Sequence, residues 1–361
     1  MSSTGFKENS SVVEPTLRLW LENHAQSLDN GDCDPETVVH KLAAAGVLKI
    51  GVAPGQGDIT DAVEAVASVA YHSLAAAFVL WGQRAFIEYL LQSPNDALRE
   101  RLLSELLSGR LAGATGLSNA MKYLSGIESL QLQAQATSDG WQLDGQLQWV
   151  TNLRKSGYVV AAAVARPSDA PPFIMALPGE LAGLQRSDDL QLMGLQSSNT
   201  AALTLSGVRV GREWLLHDDA RVFLPTVRPA FLGLQCGLSI GLARRALAQA
   251  RQHLHGAGGV LEHVLRQQVK ALDDLVARLK QGLLGGQFLQ QPGAVFRLRI
   301  GMAESVSSAV QLELQASGGK AFLSHHGDAF ARRWRESAFI PIVTPSLVQL
   351  RAELARQGQA Q

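Results

Sequence analysis

The chain of 361 residues carries 32 Lys plus Arg and 32 Asp plus Glu, and 46% of its residues are hydrophobic. This length and hydrophobic share allow one large multi-layer fold or two to three packed subdomains. The zero net charge offers no basic stripe for nucleic acid. The two cysteines, Cys33 and Cys236, stand far apart and outside any Cys/His cluster, which argues against a disulfide framework and a structural zinc site.

The sequence shows no targeting segment, membrane segment or metal motif. The N-terminal string MSSTGFKENSS is polar and lacks the apolar core of a signal peptide. The longest nearly uncharged apolar stretch, Pro229–Ala243, is too short to span a bilayer and is typical of a buried helix. The nine histidines have no HExxH-like ligand spacing. We therefore expect a soluble, cytoplasmic protein that binds no metal, nucleic acid or membrane.

Residues 1–111 are predicted to form an N-terminal helical domain. Asp61–Ala77 and Asp96–Leu107 place apolar residues three and four positions apart, as in amphipathic helices. The string SPND between them supplies turn and capping residues. The Gly- and Pro-containing string LKIGVAPGQGD interrupts the helical pattern and predicts a loop.

Residues 112–213 are predicted to form a central β module, because the hydrophobic period changes from helical to alternating. The strings LQLQAQA and WQLDGQLQWV alternate around the turn Thr137–Gly140, which predicts a hairpin. Tyr158–Ala165 and Phe173–Leu177 are typical of buried strands, and Ala201–Val210 alternates again with a bend expected at Gly207. No helical pattern lies between Leu130 and Val210, so an all-β module is favoured over βαβ units.

Residues 214–361 return to the helical period and predict a C-terminal helical bundle. The first helix is expected to begin at Pro229, where proline is tolerated in the first turn, and to run to His253. The further predicted helices are Leu261–Leu284, Ala294–Ala316, Asp328–Trp334 and Pro345–Gln357. The fold class is therefore α+β, with a central β-barrel or sandwich module between two helical parts.

The end of the predicted hairpin raises a question about function. Along the string LQWVTN, Trp149 and Thr151 have the same parity as Trp141, Leu143 and Leu147. Side chains of one parity face the same side of a strand. The pattern therefore predicts that a large aromatic ring and a hydroxyl face one side at the strand end.

The order of parts resembles the acyl-CoA dehydrogenase superfamily, and six local strings agree with that resemblance. They include DGWQLDGQLQWVTN, which resembles the family's hairpin followed by Trp-Ile-Thr-Asn, and QASGGKAF, which resembles its Gln-x-x-Gly-Gly segment. The matches lie in the family's order between about residues 35 and 355 and indicate the fold more strongly than the activity. The six strings are Leu42–Asp58, Gly113–Ala120, Asp139–Asn152, Thr226–Ala250, Gln315–Phe322 and Arg332–Phe339.

The resemblance implies an FAD site between the β module and the C-terminal helices. By analogy, Trp149 would cover the flavin ring and the Thr151 hydroxyl would lie near its N5 atom and carbonyl. Thr115 and Ser118 would bond the pyrimidine end. Backbone amides at Gly318 and Gly319 would approach the dinucleotide, that of a neighbouring subunit.

The family's catalytic carboxylate has no counterpart in this sequence. The family supplies a Glu either before the last helix or just before the Arg-Pro of the long helix. Here the first position holds Val343 or Thr344 and the second holds Val227. A positioned general base contributes about 10² to 10⁴ in rate, so the standard dehydrogenation mechanism is in question.

Two further family motifs are eroded. The Gly-Ser-Asp after the first flavin loop is replaced by Ala120–Lys122, and the Arg-x-x-Phe-Gly element by His253–Gly259. Such replacements would alter FAD affinity or subunit arrangement.

Three hypotheses follow from these observations. The first is an FAD-dependent oxidoreductase of acyl-CoA dehydrogenase type, acting on the CH–CH group of an acyl-CoA or related substrate. Its base would be Glu304, Glu336 or His325, and Arg228 would orient the substrate carbonyl. The second is a flavin monooxygenase on the same fold, which needs no α-proton base. The third is a flavin-binding or flavin-free homologue without catalytic activity. The resemblance also implies a homodimer or homotetramer assembled through the C-terminal helices.

Overall fold

The computed structural model describes residues 12–52, 55–124, 126–167, 170–254, 256–325 and 327–358. A helical N-terminal part is followed by two four-stranded sheets and a helical C-terminal part, so the predicted fold class is confirmed. The helices are α1 Pro15–Asn30, α2 Glu36–Ala44, α3 Ile59–His72, α4 Leu74–Leu91, α5 Asp96–Leu107, α6 Ser118–Leu124, α7 Ala220–Gln252, α8 Glu262–Leu284, α9 Gln287–Gln290, α10 Pro292–Ser317, α11 Asp328–Phe339 and α12 Leu347–Arg356. The strands are β1 Ala112–Thr115, β2 Leu132–Ala136, β3 Gly140–Val150, β4 Tyr158–Val164, β5 Phe173–Pro178, β6 Leu184–Arg186, β7 Ala201–Gly211 and β8 Leu215–His217.

The two sheets face each other across their own apolar core. One has the strand order β1-β4-β5-β8 and the other β2-β3-β7-β6. Strands β1 and β4 are paired in parallel, with Ala114 opposite Val160, whereas the hairpin β2–β3 is antiparallel as predicted. Isolated bridges between Thr115 and Thr151 and between Gln133 and Ala165 join one sheet to the other. The strand β8 lies beyond residue 213 and pairs with β5.

The helical core is built around α3, α4, α7 and α10. Helices α3 and α7 cross closely at Gly237 and Gly241. A Cβ atom at Gly237 would lie 2.8 Å from the Val63 carbonyl oxygen, and one at Gly241 would meet the Ala67 carbonyl. Glycine at both positions lets the two backbones approach.

Two helix boundaries differ from the sequence expectation. Helix α7 begins at Ala220, so Pro225 and Pro229 lie inside it, and the predicted start at Pro229 is wrong. The Asp219 carboxylate accepts a hydrogen bond from the Arg221 amide and caps this earlier start. The apolar run Asp61–Ala77 is divided between α3 and α4 at Ser73. The Ser73 hydroxyl accepts a hydrogen bond from the Ala76 amide and caps the start of α4.

Helix α4 lies at the centre of the molecule. Among the helices of the described ranges it alone is long and apolar enough to cross a membrane by length and composition, but 94% of it is buried inside the fold. It also carries the buried polar residues Gln83, Arg84 and Glu88. It packs against β1 of the β module and against α3 and α7 of the helical core, and so connects the two.

Candidate functional site

The predicted site residues of the β module meet where β1 and β3 end. Thr115 is the last residue of β1, and Thr151 follows β3 directly; the two form an antiparallel bridge. Both threonines are buried, at 6% and 3% exposure. The close approach of α4 behind them depends on Gly82, where a Cβ atom would lie 3.3 Å from the Asn152 Cβ atom. The structure thus brings Thr115 and Thr151 together.

Trp149 and Thr151 differ in exposure, and β3 is irregular just before Thr151. The pairing of β3 with β7 shifts register between Leu147 and Val150, which is a β-bulge. A bulge adds one residue to one strand and reverses the parity beyond it, so Val150 and not Thr151 continues the buried face of Leu147. The prediction that Thr151 shares the parity of Leu147 is therefore wrong. Trp149 has φ of 60° and is 60% exposed, whereas Thr151 is buried, so an exposed indole lies next to a buried hydroxyl.

Behind the two threonines lie hydroxyl groups that the sequence reasoning missed. The Tyr89 hydroxyl on α4 is 3.0 Å from the Thr115 Oγ1 atom. The Thr151 Oγ1 atom is 3.3 Å from Thr200 Oγ1, which in turn is 2.8 Å from Ser198 Oγ. Tyr89, Thr200 and Ser198 are all buried. Each threonine of the site is thus backed by an internal hydroxyl partner.

Asn152 fixes the strand end against α4. Its side-chain Nδ2 donates to the Gln83 Oε1 atom at 2.8 Å and to the Gly113 carbonyl at 2.9 Å. The same Gln83 oxygen accepts from the Gly113 amide at 2.7 Å. Asn152 has φ of 60° and is fully buried. This network positions β1 and the residues after β3 relative to one helix.

Backbone strain is concentrated at this junction. In the described part of the chain, the non-glycine residues with positive φ are Trp149, Asn152, Leu195 and Asn199. They lie on two adjacent segments, because the Asn152 amide donates to the Ser198 carbonyl at 3.0 Å. Left-handed backbone at such residues costs of order 1 to 3 kcal/mol each and is concentrated at functional sites. The clustering marks the junction as a candidate site independently of any resemblance.

Ser118 and the glycine pair lie on other elements. Ser118 is half-buried and begins α6, so the loop predicted there is a short helix. Gly318 and Gly319 are exposed in a 3-10 turn after α10, and a Cβ atom at either would meet nothing within 4 Å. This turn packs against α10 and α11. Its backbone is open to approach from outside the chain.

Arg228 lies in a small cavity between α6 and the C-terminal helices. The cavity of about 20 Å³ is also lined by Lys122, Pro345 and Glu353. The Arg228 guanidinium lies 5.3 Å from the centre of the Phe296 ring. Burial lowers the pKa of Arg228, and the Glu353 carboxylate opposes that shift. The Arg228 Nε atom is buried and has no hydrogen-bond partner among the described residues, and the space beside the arginine is narrow.

The segment before α12 contains the position of the family's glutamate, and a buried arginine hydrogen-bonds to this segment. The Arg299 guanidinium donates to the Ile340 carbonyl at 2.6 Å and to the Gln235 Oε1 atom at 2.8 Å. The Gln235 amide donates to the Thr344 carbonyl at 3.0 Å. Val343 and Val227 are both buried. The segment is therefore fixed, and it offers no carboxylate.

The three candidate bases lie elsewhere. Glu304 is exposed and pairs with Arg351 at 3.0 Å, and His325 is exposed in the turn before α11. Glu336 is buried; burial raises its pKa, and its Oε1 atom accepts from the Leu74 amide at 3.2 Å and from Arg332 at 2.8 Å. At 1.5 Å per residue, Leu74 is about 12 Å along α4 from the Gly82 position that contacts Thr151. Within the described residues, no group of three His, Cys, Asp or Glu side chains could hold a metal ion.

The comparisons with known proteins agree with this architecture. No family model matches the sequence. A probable acyl-CoA dehydrogenase of Bacillus subtilis is 30% identical over 161 residues, which are 42% of this chain and 41% of that protein. Butyryl-CoA dehydrogenase of Megasphaera elsdenii has a TM-score of 0.82 at 19% identity, with 95% of each chain covered. The protein KijD3, in complex with FMN and a dTDP-linked sugar, has a TM-score of 0.76 at 17% identity over 96% of this chain and 92% of that one.

These findings show which proteins the chain is similar to. The chain has the acyl-CoA dehydrogenase fold, and the predicted resemblance to that superfamily is confirmed. The aligned segment spans about two-fifths of the length of the Bacillus subtilis relative. Activity, substrate and partners are therefore treated as proposals below.

Proposed function

We propose that the protein is an FAD-dependent oxidoreductase of acyl-CoA dehydrogenase type that accepts hydride from an acyl-type substrate. The observation that carries this proposal is the exposed indole of Trp149 beside the bridged residues Thr115 and Thr151, on this fold. An aromatic face next to polar hydrogen-bonding groups suits a flat ring with polar edges. When bound, FAD would supply the hydride acceptor.

The residues present fit a flavin at the β-module wall. Trp149 would cover the ring, Thr115 and Thr151 would bond its polar edge, and Ser118 would contribute from the start of α6. The open backbone at Gly318 and Gly319 would serve the dinucleotide of a neighbouring subunit, which makes a homodimer or homotetramer part of the proposal. Arg228, which burial desolvates, would attract and orient a substrate carbonyl.

Removal of the substrate's α-proton requires a non-standard base. The positions of Val227 and Val343 cannot accept a proton. Glu304 pairs with Arg351, Glu336 accepts hydrogen bonds from Arg332 and the Leu74 amide, and His325 is exposed in the turn before α11. This arrangement favours a second candidate function, a flavin monooxygenase, because that chemistry needs no α-proton base. KijD3, which is similar in fold, is in complex with FMN and a dTDP-linked sugar rather than an acyl-CoA.

A third candidate, a homologue that retains the fold without the chemistry, is favoured by one feature. The cavity between α6 and the C-terminal helices measures only about 20 Å³. Ligand pockets are commonly of several hundred Å³, roughly 300 to 1,000 Å³.

Absorbance spectroscopy of the purified protein separates the three candidates. A flavin band that bleaches on anaerobic addition of an acyl-CoA would support dehydrogenation. A bound flavin that no acyl-CoA in a panel reduces would move the proposal to monooxygenation, tested with reduced flavin and O₂. Protein that stays colourless after incubation with FAD would contradict the flavin site. Cytoplasmic location stays a prediction, tested by fractionation of cells.

A further inference from the structure

Arg228 differs from the buried arginines of this fold in its partners. Arg84 and Arg332 each pair with a glutamate at 2.8 Å, and Arg299 donates to a carbonyl and to an amide oxygen. The half-buried Arg228 forms no hydrogen bond and no ion pair with any residue that the structure describes. Its guanidinium lies against the Phe296 ring, which attracts a cation but leaves the N–H donors unmatched. These donors therefore need acceptors from outside the described chain.

The cavity beside Arg228 is lined by one carboxylate, and that group is engaged elsewhere. The Glu353 Oε1 atom accepts from the Gln357 amide at 2.7 Å, and its Oε2 atom pairs with Arg356. Lys122, the other cation of the lining, pairs with a glutamate at 3.2 Å. Arg228 is thus the cation of this cavity that has no carboxylate partner among the described residues.

The size of the cavity restricts what can reach Arg228. Its volume of about 20 Å³ exceeds the roughly 10 to 15 Å³ that one water molecule needs. One small polar group fits there, whereas a whole ligand does not. Ile127 lines the same cavity and is 45% exposed, so the cavity lies next to the molecular surface. A ligand would place a single end group beside the arginine and keep its body outside.

We propose that Arg228 binds an ionised carboxylate group of the substrate. A guanidinium matches a carboxylate with two parallel hydrogen bonds, and the two charges compensate each other. A water molecule or a neutral carbonyl would satisfy a donor and leave the partly buried charge uncompensated. A phosphate group is larger and carries more negative charge, so the Glu353 carboxylate would repel it more strongly.

This inference rests on the proposed function for the identity of the ligand as the substrate. It adds the substrate class, which is an acyl-type compound that carries a free carboxylate. The carboxylate takes the place of the substrate carbonyl as the group expected beside Arg228.

Calorimetric titration of the full-length protein with succinate tests the proposal. Succinamide is the neutral probe, because it has the same carbon chain with amides in place of the carboxylates. We expect wild-type protein to bind succinate at least about tenfold more tightly than succinamide, since hydrogen bonds to charged groups contribute more than neutral ones. Inorganic phosphate is the third probe. Equal binding of succinate and succinamide, tighter binding of phosphate, or no binding of succinate would overturn the carboxylate site.

A matched pair of variants tests whether Arg228 is responsible. Arg228→Gln is expected to weaken succinate binding to the level of succinamide. The control Arg351→Gln removes the same charge from an exposed arginine of α12 that pairs with Glu304. It should bind succinate within about twofold of wild type, because an exposed ion pair contributes little. An equal loss in both variants would assign the effect to net charge and overturn the site.

A third variant keeps the proposal testable if Arg228→Gln does not fold. Glu353→Gln removes the carboxylate that lines the cavity beside Arg228, and with it a repulsion of any anion bound there. Succinate should then bind about threefold more tightly, while succinamide binding stays unchanged. Succinate binding that weakens or does not change in Glu353→Gln would overturn an anion site at Arg228.

The outcomes separate this inference from the proposed function. Protein that takes up no FAD but prefers succinate through Arg228 would contradict the oxidoreductase and support the carboxylate site. Protein whose flavin is reduced by an acyl-CoA, but which does not distinguish succinate from succinamide, would sink the inference alone. Protein with neither property would sink both.

Discussion

Two contact regions of this molecule are built by opposite means. Where α3 crosses α7, the glycines Gly237 and Gly241 bring buried backbones together within regular helices. At the junction of Trp149–Asn152 with Leu195–Asn199, the backbone is left-handed at four non-glycine residues, and the buried side chains include hydroxyls and amides. Regular packing stabilises a fold. Backbone strain and buried polar groups reduce its stability, and they persist where a function retains them. The contrast distinguishes the scaffold from the site.

The largest expected effect is on stability, and it tests the close packing of α3 against α7. In Gly241→Ala, the new Cβ atom would meet the Ala67 carbonyl and lie 2.8 Å from the Tyr71 amide nitrogen. Backbone atoms cannot yield as a flexible side chain can, so we expect a loss of more than about 3 kcal/mol in unfolding free energy. Urea denaturation measures it. Gly259→Ala is the control, since a Cβ atom there would meet nothing within 4 Å. Equal stability of the two variants would show that α3 and α7 can separate freely.

The next effect tests the polar anchor of the site. Asn152→Ala removes both side-chain donors and leaves the Gly113 carbonyl buried without that partner. We expect a loss of about 2 to 3 kcal/mol in unfolding free energy. Chemical denaturation provides the value, with Asp58→Ala, a substitution of the exposed cap of α3, as the comparison at about 1 kcal/mol. A loss below that of Asp58→Ala would remove Asn152 as an anchor.

The pH dependence of stability tests His72, a buried group at the end of α3 in the helical core. Burial lowers the pKa of His72 to about 4; the Glu22 carboxylate at 3.1 Å opposes this, and Arg245 adds to it. The unfolded chain then binds more protons than the folded one between pH 4 and the ordinary value of 6.5. Stability is therefore complete above pH 6.5 and falls as the pH drops toward 4, by about 2 kcal/mol. Denaturation at a series of pH values measures the slope, and His72→Gln should flatten it. An unchanged slope in that variant would assign the effect to other groups.

The smallest expected effect separates strain from packing at the site. Trp149→Gly and Trp149→Ala both lose the indole, but only glycine accepts φ of 60° without cost. The glycine variant should be the more stable of the two by about 1 kcal/mol, the reverse of the usual order in a strand. Denaturation of both proteins measures this difference. Both should bind FAD at least about tenfold more weakly. An alanine variant more stable than the glycine variant would refute the strain at Trp149.

The sequence predicted regular elements well where the chemistry is local. Asp96–Leu107 and the β2–β3 hairpin follow from periodicity and turn residues, and the structure confirms them. The sequence predicts a start of α7 at Pro229, because proline is common in the first turn of a helix. The cap at Asp219 instead sets the start at Ala220. Caps and interior prolines compete, and a single sequence does not show which prevails.

The site was predicted only in part, for physical reasons. The resemblance led to Thr115 and Thr151, which the structure brings together. Alternation failed at Thr151, because a bulge has no hydrophobic signature. Tyr89 and Thr200 were missed because their partners lie 26 and 49 residues away in sequence. A hydroxyl in an apolar run carries no periodic pattern that would reveal such a partner.

The central position of α4 has a consequence for the order in which the protein can mature. The Trp81 indole on α4 donates to the Phe231 carbonyl on α7, and the two residues are 150 positions apart, so α4 leaves the ribosome long before this partner. Until then, the α7-facing side of a helix apolar enough to resemble a membrane span is uncovered. Nascent chains of this protein should therefore depend on holding chaperones, and fragments that end before Ala220 should accumulate as insoluble material.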